Sequence, residues 1–158
     1  MTQLTHVAPT GDARMVDVSE KADTVRVARV TGSIRMRPDT LRAILDSAVT
    51  KGDVIAVARV AGIMAAKRTA ELIPLCHPLA LTDVQVSITP EDTLPGLRAE
   101  AVVRTVGKTG VEMEAMTAVA VTLITVYDMA KALDTSMVIS DILLAEKQGG
   151  KSGHWIRR

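Results

Sequence analysis

Residues 107–134 read GKTGVEMEAMTAVAVTLITVYDMAKALD. Thirteen consecutive residues, Ala115 to Tyr127, carry no charge, and charged side chains stand only at the ends: Glu112 and Glu114 at the start, Asp128 and Lys131 near the finish. Gly107 and Gly110 precede the run and nothing within it breaks a helix, which predicts one long helix, apolar almost all round. Such a helix must be buried in a core or an interface. Lys131 lies nineteen positions beyond Glu112, roughly 28 Å at the helical rise. One small substrate does not span that distance within a subunit. Either one end is structural, or a second copy of the chain brings the other end close, and the second alternative is the expectation.

Two alternating segments lie immediately upstream. Val84, Val86 and Ile88 alternate with Asp83, Gln85 and Ser87, and Leu97, Ala99, Ala101 and Val103 alternate with Arg98, Glu100, Val102 and Arg104. They predict two strands, each with one dry and one wet face, joined by a hairpin loop from Pro90 to Gly96. A third β-rich segment runs from Thr24 to Met36. There Val25 and Val27 point one way and Ala28 and Val30 the other, a slip that predicts a bulge. Leu41, Ile44, Leu45, Ala48 and Val49 keep helical spacing between Pro38 and Gly52, a short amphipathic helix over 38–50. Asp53 caps a second helix from Val54 to about Lys67, and the two prolines within 71–78 predict an irregular connection.

Downstream of the long helix, Met137 to Lys147 predicts a last strand, followed by a flexible, glycine-rich, basic tail over 148–158; residues 1–20 predict a loose arm. The order β-α-α-β-β-α-β over 1–158 gives one α+β domain. It is the ferredoxin-like βαββαβ plan with one extra helix after the first strand, the helices packed on one face of an antiparallel-containing sheet. The other face, with Val102 and Ile139 amid charges, is expected to be only partly wet, which favours self-association.

Composition narrows the function. Hydrophobic residues make up 47% of the chain, yet there is no Phe, one Trp and one Tyr. A core without rings must pack small aliphatic side chains tightly, and a chain without ring platforms is poorly suited to stack bases. The net charge of +1 gives no general attraction to nucleic acid or anionic membrane, so a polyanionic ligand needs a local cluster of cations. The single cysteine, Cys76, excludes an internal disulfide, and the longest apolar run falls short of the ~20 residues of a membrane span. A cytoplasmic protein is expected.

Gly107-Lys108-Thr109 before a helix suggests a phosphate-binding loop, but the required first glycine falls at Val102, inside a strand. No histidine–carboxylate spacing defines a metal site. His77, beside Cys76 and Pro78, reads either as a satisfied structural histidine or as a ligand-facing group. Asp128 and Lys131, at i and i+3, share a helical face and can pair. They could be an ordinary terminal ion pair. If Lys51 and Lys67 converge on them in a partly dry place, repulsion and desolvation lower the lysine pKa values and equip them for acid–base chemistry. Glu112 and Glu114 complement the helix dipole; if they line a pocket, a carboxylate suits the N–H edge of a guanine-like ring.

Several motifs then agree in order: MVDVSEK at 15–21, KGDV at 51–54, LIPLCHPL at 72–79, KTGVEMEAMTA at 108–118, VYDMAKA at 126–132 and KQGGKSG at 147–153. Together they resemble the molybdenum-cofactor biosynthesis protein C family, MoaC, from about residue 5 to the end. Met116, where leucine is usual, and Ala130, where cysteine is common, depart from the pattern. The resemblance implies a cyclic pyranopterin monophosphate synthase of ferredoxin-like fold, assembled as a homohexamer, a trimer of dimers, with active sites between subunits. The implied substrate is a 3′,8-cyclised dihydroguanosine triphosphate, converted with release of pyrophosphate. By motif, Asp128, Lys131 and Lys51 are the implied catalytic residues. Leu75, Cys76, His77, Met113 and Glu114, with Glu112, are the implied ligand contacts, and Arg26, Lys67, Lys147 and Lys151 the implied cations for the triphosphate. No resident cofactor is implied, and whether Mg²⁺ accompanies the triphosphate stays open, since no carboxylate cage for it is visible. The competing reading is a non-catalytic ferredoxin-like nucleotide-binding regulator.

Overall fold

A computed structural model of the chain describes residues 10–91, 93, 95–151 and 153–158. Its elements are β1 (Thr24–Arg35), α1 (Pro38–Leu45), α2 (Val54–Ala66), α3 (Thr69–Leu72), β2 (Leu81–Glu91), β3 (Gly96–Gly107), α4 (Glu112–Ala130), β4 (Val138–Gln148) and β5 (His154–Ile156). The strands form one sheet in the order β2-β3-β1-β4-β5, every neighbouring pair antiparallel. This is the α+β, ferredoxin-like layout the hydrophobic pattern predicts, with α2 and α4 on the same face.

α4 runs over the sheet on a row of small or branched residues. Ala28, Val30 and Ile34 of β1, Ala99, Ala101 and Val103 of β3, and Ala115, Ala118, Val119, Leu123 and Val126 of α4 are all 1% exposed or less. Burying a side chain such as Leu123 removes apolar area worth about 1.5–3 kcal/mol. α4 is long and apolar enough to cross a membrane by length and composition, but 56% of its apolar window is buried inside this fold. α2 packs antiparallel against it, and Gly62 makes the contact possible: a Cβ there would collide with Thr122 Oγ1 and lie 2.9 Å from the Ala118 carbonyl oxygen. A core without rings is thus closed by bringing two helix backbones together.

Several expectations are corrected. β1 pairs with β3 without interruption from Thr24 to Arg35, so it carries no bulge. Val25 and Val27 sit on the sheet face away from α4, where Val25 is left exposed. The irregularities belong to β4, which slips against β1 between Arg29 and Val30 and again between Thr31 and Ser33. Those slips turn Ile139 toward the core beside Ile34, so only Val102 of the expected pair faces the open side. The stretch expected to be a loose tail contains β5, where Trp155 pairs with Lys147 and Arg157 lies over the indole at 5.9 Å. Helix α1 ends at Leu45, earlier than its pattern suggests, because Ser47 takes a left-handed φ of 52°. The one-turn α3 lies where an irregular connection was expected to begin. The expected arm over 1–20 falls partly outside the described residues; within 10–20 no helix or extended strand forms.

Candidate active site

The predicted residues collect at the two ends of α4. At the C-terminal end, α4 places Asp128 and Lys131 one turn apart, and the turn after α1 brings in Lys51. Lys131 Nζ lies 2.7 Å from Asp128 Oδ1, and Lys51 Nζ 2.9 Å from Oδ2. All three side chains are about half exposed, at 52%, 48% and 54% for Lys131, Lys51 and Asp128. The hydrogen bond from Lys131, followed by that from Lys51, holds the Asp128 carboxyl down at about 2. In return Asp128 raises the Lys131 ammonium above its ordinary value. The expectation of a depressed Lys131 is therefore corrected: the carboxylate between the two lysines, and the lack of burial, outweigh their mutual repulsion. Lys67 does not join them. It follows α2 at the opposite end of that helix and lines a cavity of about 150 Å³ with Arg68 and Glu114.

The N-terminal end of α4 carries the second group. A cleft of about 320 Å³ is lined by Leu75, Cys76 and His77 from the connection after α3, by Glu112, Met113 and Glu114, and by Val16, Val18 and Lys21 of the arm. Glu114 is 4% exposed, and burial, with the Glu112 charge adding to it, pushes its carboxyl up. Burial and then the neighbouring Glu114 push up the Cys76 thiol. The connection reaches the cleft because Cys76 N–H turns back onto the Ile73 carbonyl, and Thr105 Oγ1 donates to the Ala80 carbonyl at 2.7 Å.

A polar cleft of about 120 Å³ adjoins it, sharing Lys21, Gly110 and Glu112, and is lined further by Arg26, Lys108 and Lys147. Lys147 Nζ is 3.1 Å from Glu112 Oε1 across the boundary. Arg26 donates to the Gly107 and Lys108 carbonyls at 3.3 and 3.2 Å. Gly150 lets it do so: its φ is +68°, and a Cβ there would overlap Arg26 Nη1. An open depression of about 750 Å³ continues past Arg26 to Lys151. The sequence reading singled out Arg26, Lys147 and Lys151 but missed Lys21 and Lys108. Lys21 ends the MVDVSEK motif and borders all three spaces; Lys108 Nζ donates to the Ser19 carbonyl at 2.7 Å and ties the arm down. Among the described residues no three His, Cys, Asp or Glu side chains gather to hold a metal ion.

The α+β fold thus carries an ion-paired lysine–aspartate cluster and two adjoining clefts at opposite ends of one helix. The MoaC family model matches residues 15–150. The chain is 59% identical over 153 residues to proteins of Brucella ovis and Brucella abortus, and 58% identical to one of Brucella canis, each named cyclic pyranopterin monophosphate synthase. Each alignment covers 97% of this chain and 93% of the relative. The chain belongs to the MoaC family, whose members are lyases of molybdenum cofactor biosynthesis.

Proposed function

We propose that this chain is a cyclic pyranopterin monophosphate synthase, converting (8S)-3′,8-cyclo-7,8-dihydroguanosine 5′-triphosphate to cyclic pyranopterin monophosphate and pyrophosphate. The observation that carries the reading is the pairing of an acid–base cluster, Lys51–Asp128–Lys131, with a cationic cleft on a chain 59% identical to proteins of that name. A triphosphate needs several cations in one place, and Lys21, Arg26, Lys108, Lys147 and Lys151 supply them on a chain of net charge +1. They also favour the charge that develops on departing pyrophosphate. The ring pocket beside them offers His77 and two carboxyls of unlike environment, Glu112 ion-paired and Glu114 buried.

The conversion is redox-neutral: a ring opens and re-closes by proton transfers, the bond from the α-phosphorus to its bridging oxygen breaks, and a hydroxyl oxygen of the sugar takes its place. No redox cofactor is invoked, and Mg²⁺ would enter as part of the triphosphate substrate. Below its raised pKa Lys131 is an ammonium, so in the free enzyme it is suited to donate a proton or stabilise a leaving oxyanion. Asp128, held at about 2, is a weak base until substrate draws the lysines away.

The two groups lie at opposite ends of α4, a separation of roughly 28 Å. A complete site therefore takes Lys51, Asp128 and Lys131 from one copy and the clefts from another, and the assembly is a homohexamer working in the cytoplasm. Incubating the protein with the cyclic triphosphate and assaying both pyrophosphate and the pterin product tests the reading. A nucleotide-sensing regulator would bind the compound and release no pyrophosphate.

A further inference from the structure

Asp134 is a buried carboxylate that the proposed chemistry does not use. It is 1% exposed and lies three residues past Lys131, where the chain leaves α4. Its Oδ2 accepts the backbone N–H of Arg37 at 2.9 Å, and its Oδ1 accepts the Ser136 N–H and hydroxyl at 2.9 and 2.6 Å. The half-exposed Arg37 guanidinium adds only weaker outer contacts, donating from Nη2 to the Leu133 carbonyl at 2.7 Å and lying 4.0 Å from Asp134 Oδ1. The Ser136 hydroxyl, followed by the Arg37 N–H, holds the carboxyl below its ordinary value.

The junction matters for what it joins. Arg37 immediately precedes α1, so the segment 37–51 is pinned at its first residue to Asp134 and at its last, Lys51, to Asp128. Lys131 stands midway between the two aspartates, three residues from each. The outer pin is half exposed, where water competes for both partners and an ion pair holds geometry weakly. The inner pin is dry and fully bonded, and breaking it leaves a buried charge or donor unpaired.

We propose that Asp134 is a positioning residue: it locks the exit of α4 to the entry of α1 and so sets the spacing at which Lys51 and Lys131 share Asp128. The inference rests on reading that cluster as catalytic, and it can fail separately from that reading.

Three variants test it. Asp134→Asn keeps the shape but puts an N–H₂ group against a donor. Arg37→Pro deletes the backbone N–H at a residue whose φ of −67° already suits proline. Arg37→Ala keeps the N–H and loses only the guanidinium. Turnover and KM are measured on the cyclic triphosphate, and the Asp128 carboxyl is titrated by ¹³C NMR. Asp134→Asn and Arg37→Pro should lower kcat by about tenfold or more with KM changed less than about twofold, since misplacing a reacting group costs turnover steeply. In both, the Asp128 midpoint should climb from about 2 toward 3.8 as the lysines drift away, while Arg37→Ala stays near the parent. If Asp134→Asn does not fold, the contrast between the two Arg37 variants decides. An unmoved Asp128 midpoint, whatever happens to melting, overturns the proposal, and so does unaltered kcat beside a shifted midpoint. Full turnover in Lys131→Ala would instead overturn the catalytic reading of the cluster, and the Asp128 titration would still read the lock.

Discussion

Lys51 gives one ammonium to two different acceptors of Asp128, the carboxylate Oδ2 at 2.9 Å and the backbone carbonyl at 2.8 Å. That carbonyl belongs to the last turn of α4, which ends without four intrahelical donors. Lys51 therefore caps the helix as well as pairing with the aspartate, and Lys131 completes the set from the same helix.

Lys51→Ala and Lys131→Ala should each cut turnover by at least ~100-fold, the scale of a lost acid–base group. Both lysines are about half exposed, so the fold and assembly should survive with melting lowered only slightly, Lys51→Ala more than Lys131→Ala because it also loses the bond to the Asp128 carbonyl. Steady-state kinetics beside calorimetry checks this, and near-parental turnover in either variant removes that lysine from the mechanism.

Acid should weaken the cluster in a defined window. Asp128 titrates at about 2 in the folded chain against 3.8 ordinarily. A depressed folded value means the stabilisation is complete above the ordinary value and is lost as pH falls through about 2. Glu146 is held at about 2 as well, chiefly by Gln148 and His154, so the measurement must be differential. The gap in urea midpoint between the parent and Asp128→Asn should be constant from pH 7 to pH 5 and close below pH 4.

Glu114 carries the opposite sign. Its folded value is raised by burial, so its contribution is intact below the ordinary value of 4.5 and is lost as pH rises through the folded one. Glu114→Gln should match the parent's melting temperature near pH 4 and exceed it at pH 8, while raising KM about tenfold, the scale of one lost charged hydrogen bond. Melting curves at the two pH values and a substrate titration test both halves.

A site shared between copies should be rescued by mixing. Lys131→Ala and His77→Ala should each lose most activity alone; they alter the groups at opposite ends of α4, and mixed oligomers should regain a fraction of the parental rate. Mixed assemblies confirmed by mass spectrometry yet devoid of activity would place the whole site in one subunit.

Gly150→Ala tests the cationic cleft through its backbone. An added Cβ must displace the Arg26 guanidinium or unwind a φ of +68°. Substrate affinity should fall roughly tenfold as one charged contact is lost, with turnover at saturation less affected. Isothermal titration with a non-reactive triphosphate analogue provides the readout.

The fold was largely legible because alternation and helical period are local signals. β2 and β3 follow from Asp83–Ser87 and Leu97–Arg104, and α4 from its uncharged centre. The slip in Thr24–Met36 was misleading, since an exposed valine on the open face looks the same in sequence as a bulged one. The real bulges sit in β4, where register depends on its partner strand, as does the placement of Ile139. At the site, Asp128 and Lys131 could be paired from their spacing alone, whereas their meeting with Lys51 is a tertiary contact carried here by the motif resemblance. Lys67 lies beside Glu114 and not beside Lys51, a placement hidden from the sequence because helix direction is invisible in spacing. Lys21 and Lys108 were overlooked because a lysine in an arm or turn looks like a solvated one until the fold ties Lys108 to Ser19 and sets Lys21 at the edge of the clefts.

The absence of rings from the core has a practical corollary. The sole tryptophan, Trp155, lies on β5 at the sheet edge, 38% exposed, beneath the Arg157 guanidinium. Intrinsic fluorescence will therefore report the docking of this C-terminal hairpin and stay nearly blind to the helix–sheet interior. Emission and far-ultraviolet dichroism should separate whenever the hairpin peels off before the body melts. Because the same hairpin carries Gly150 and Lys151, its glow offers a label-free monitor of the rim where the triphosphate is proposed to sit.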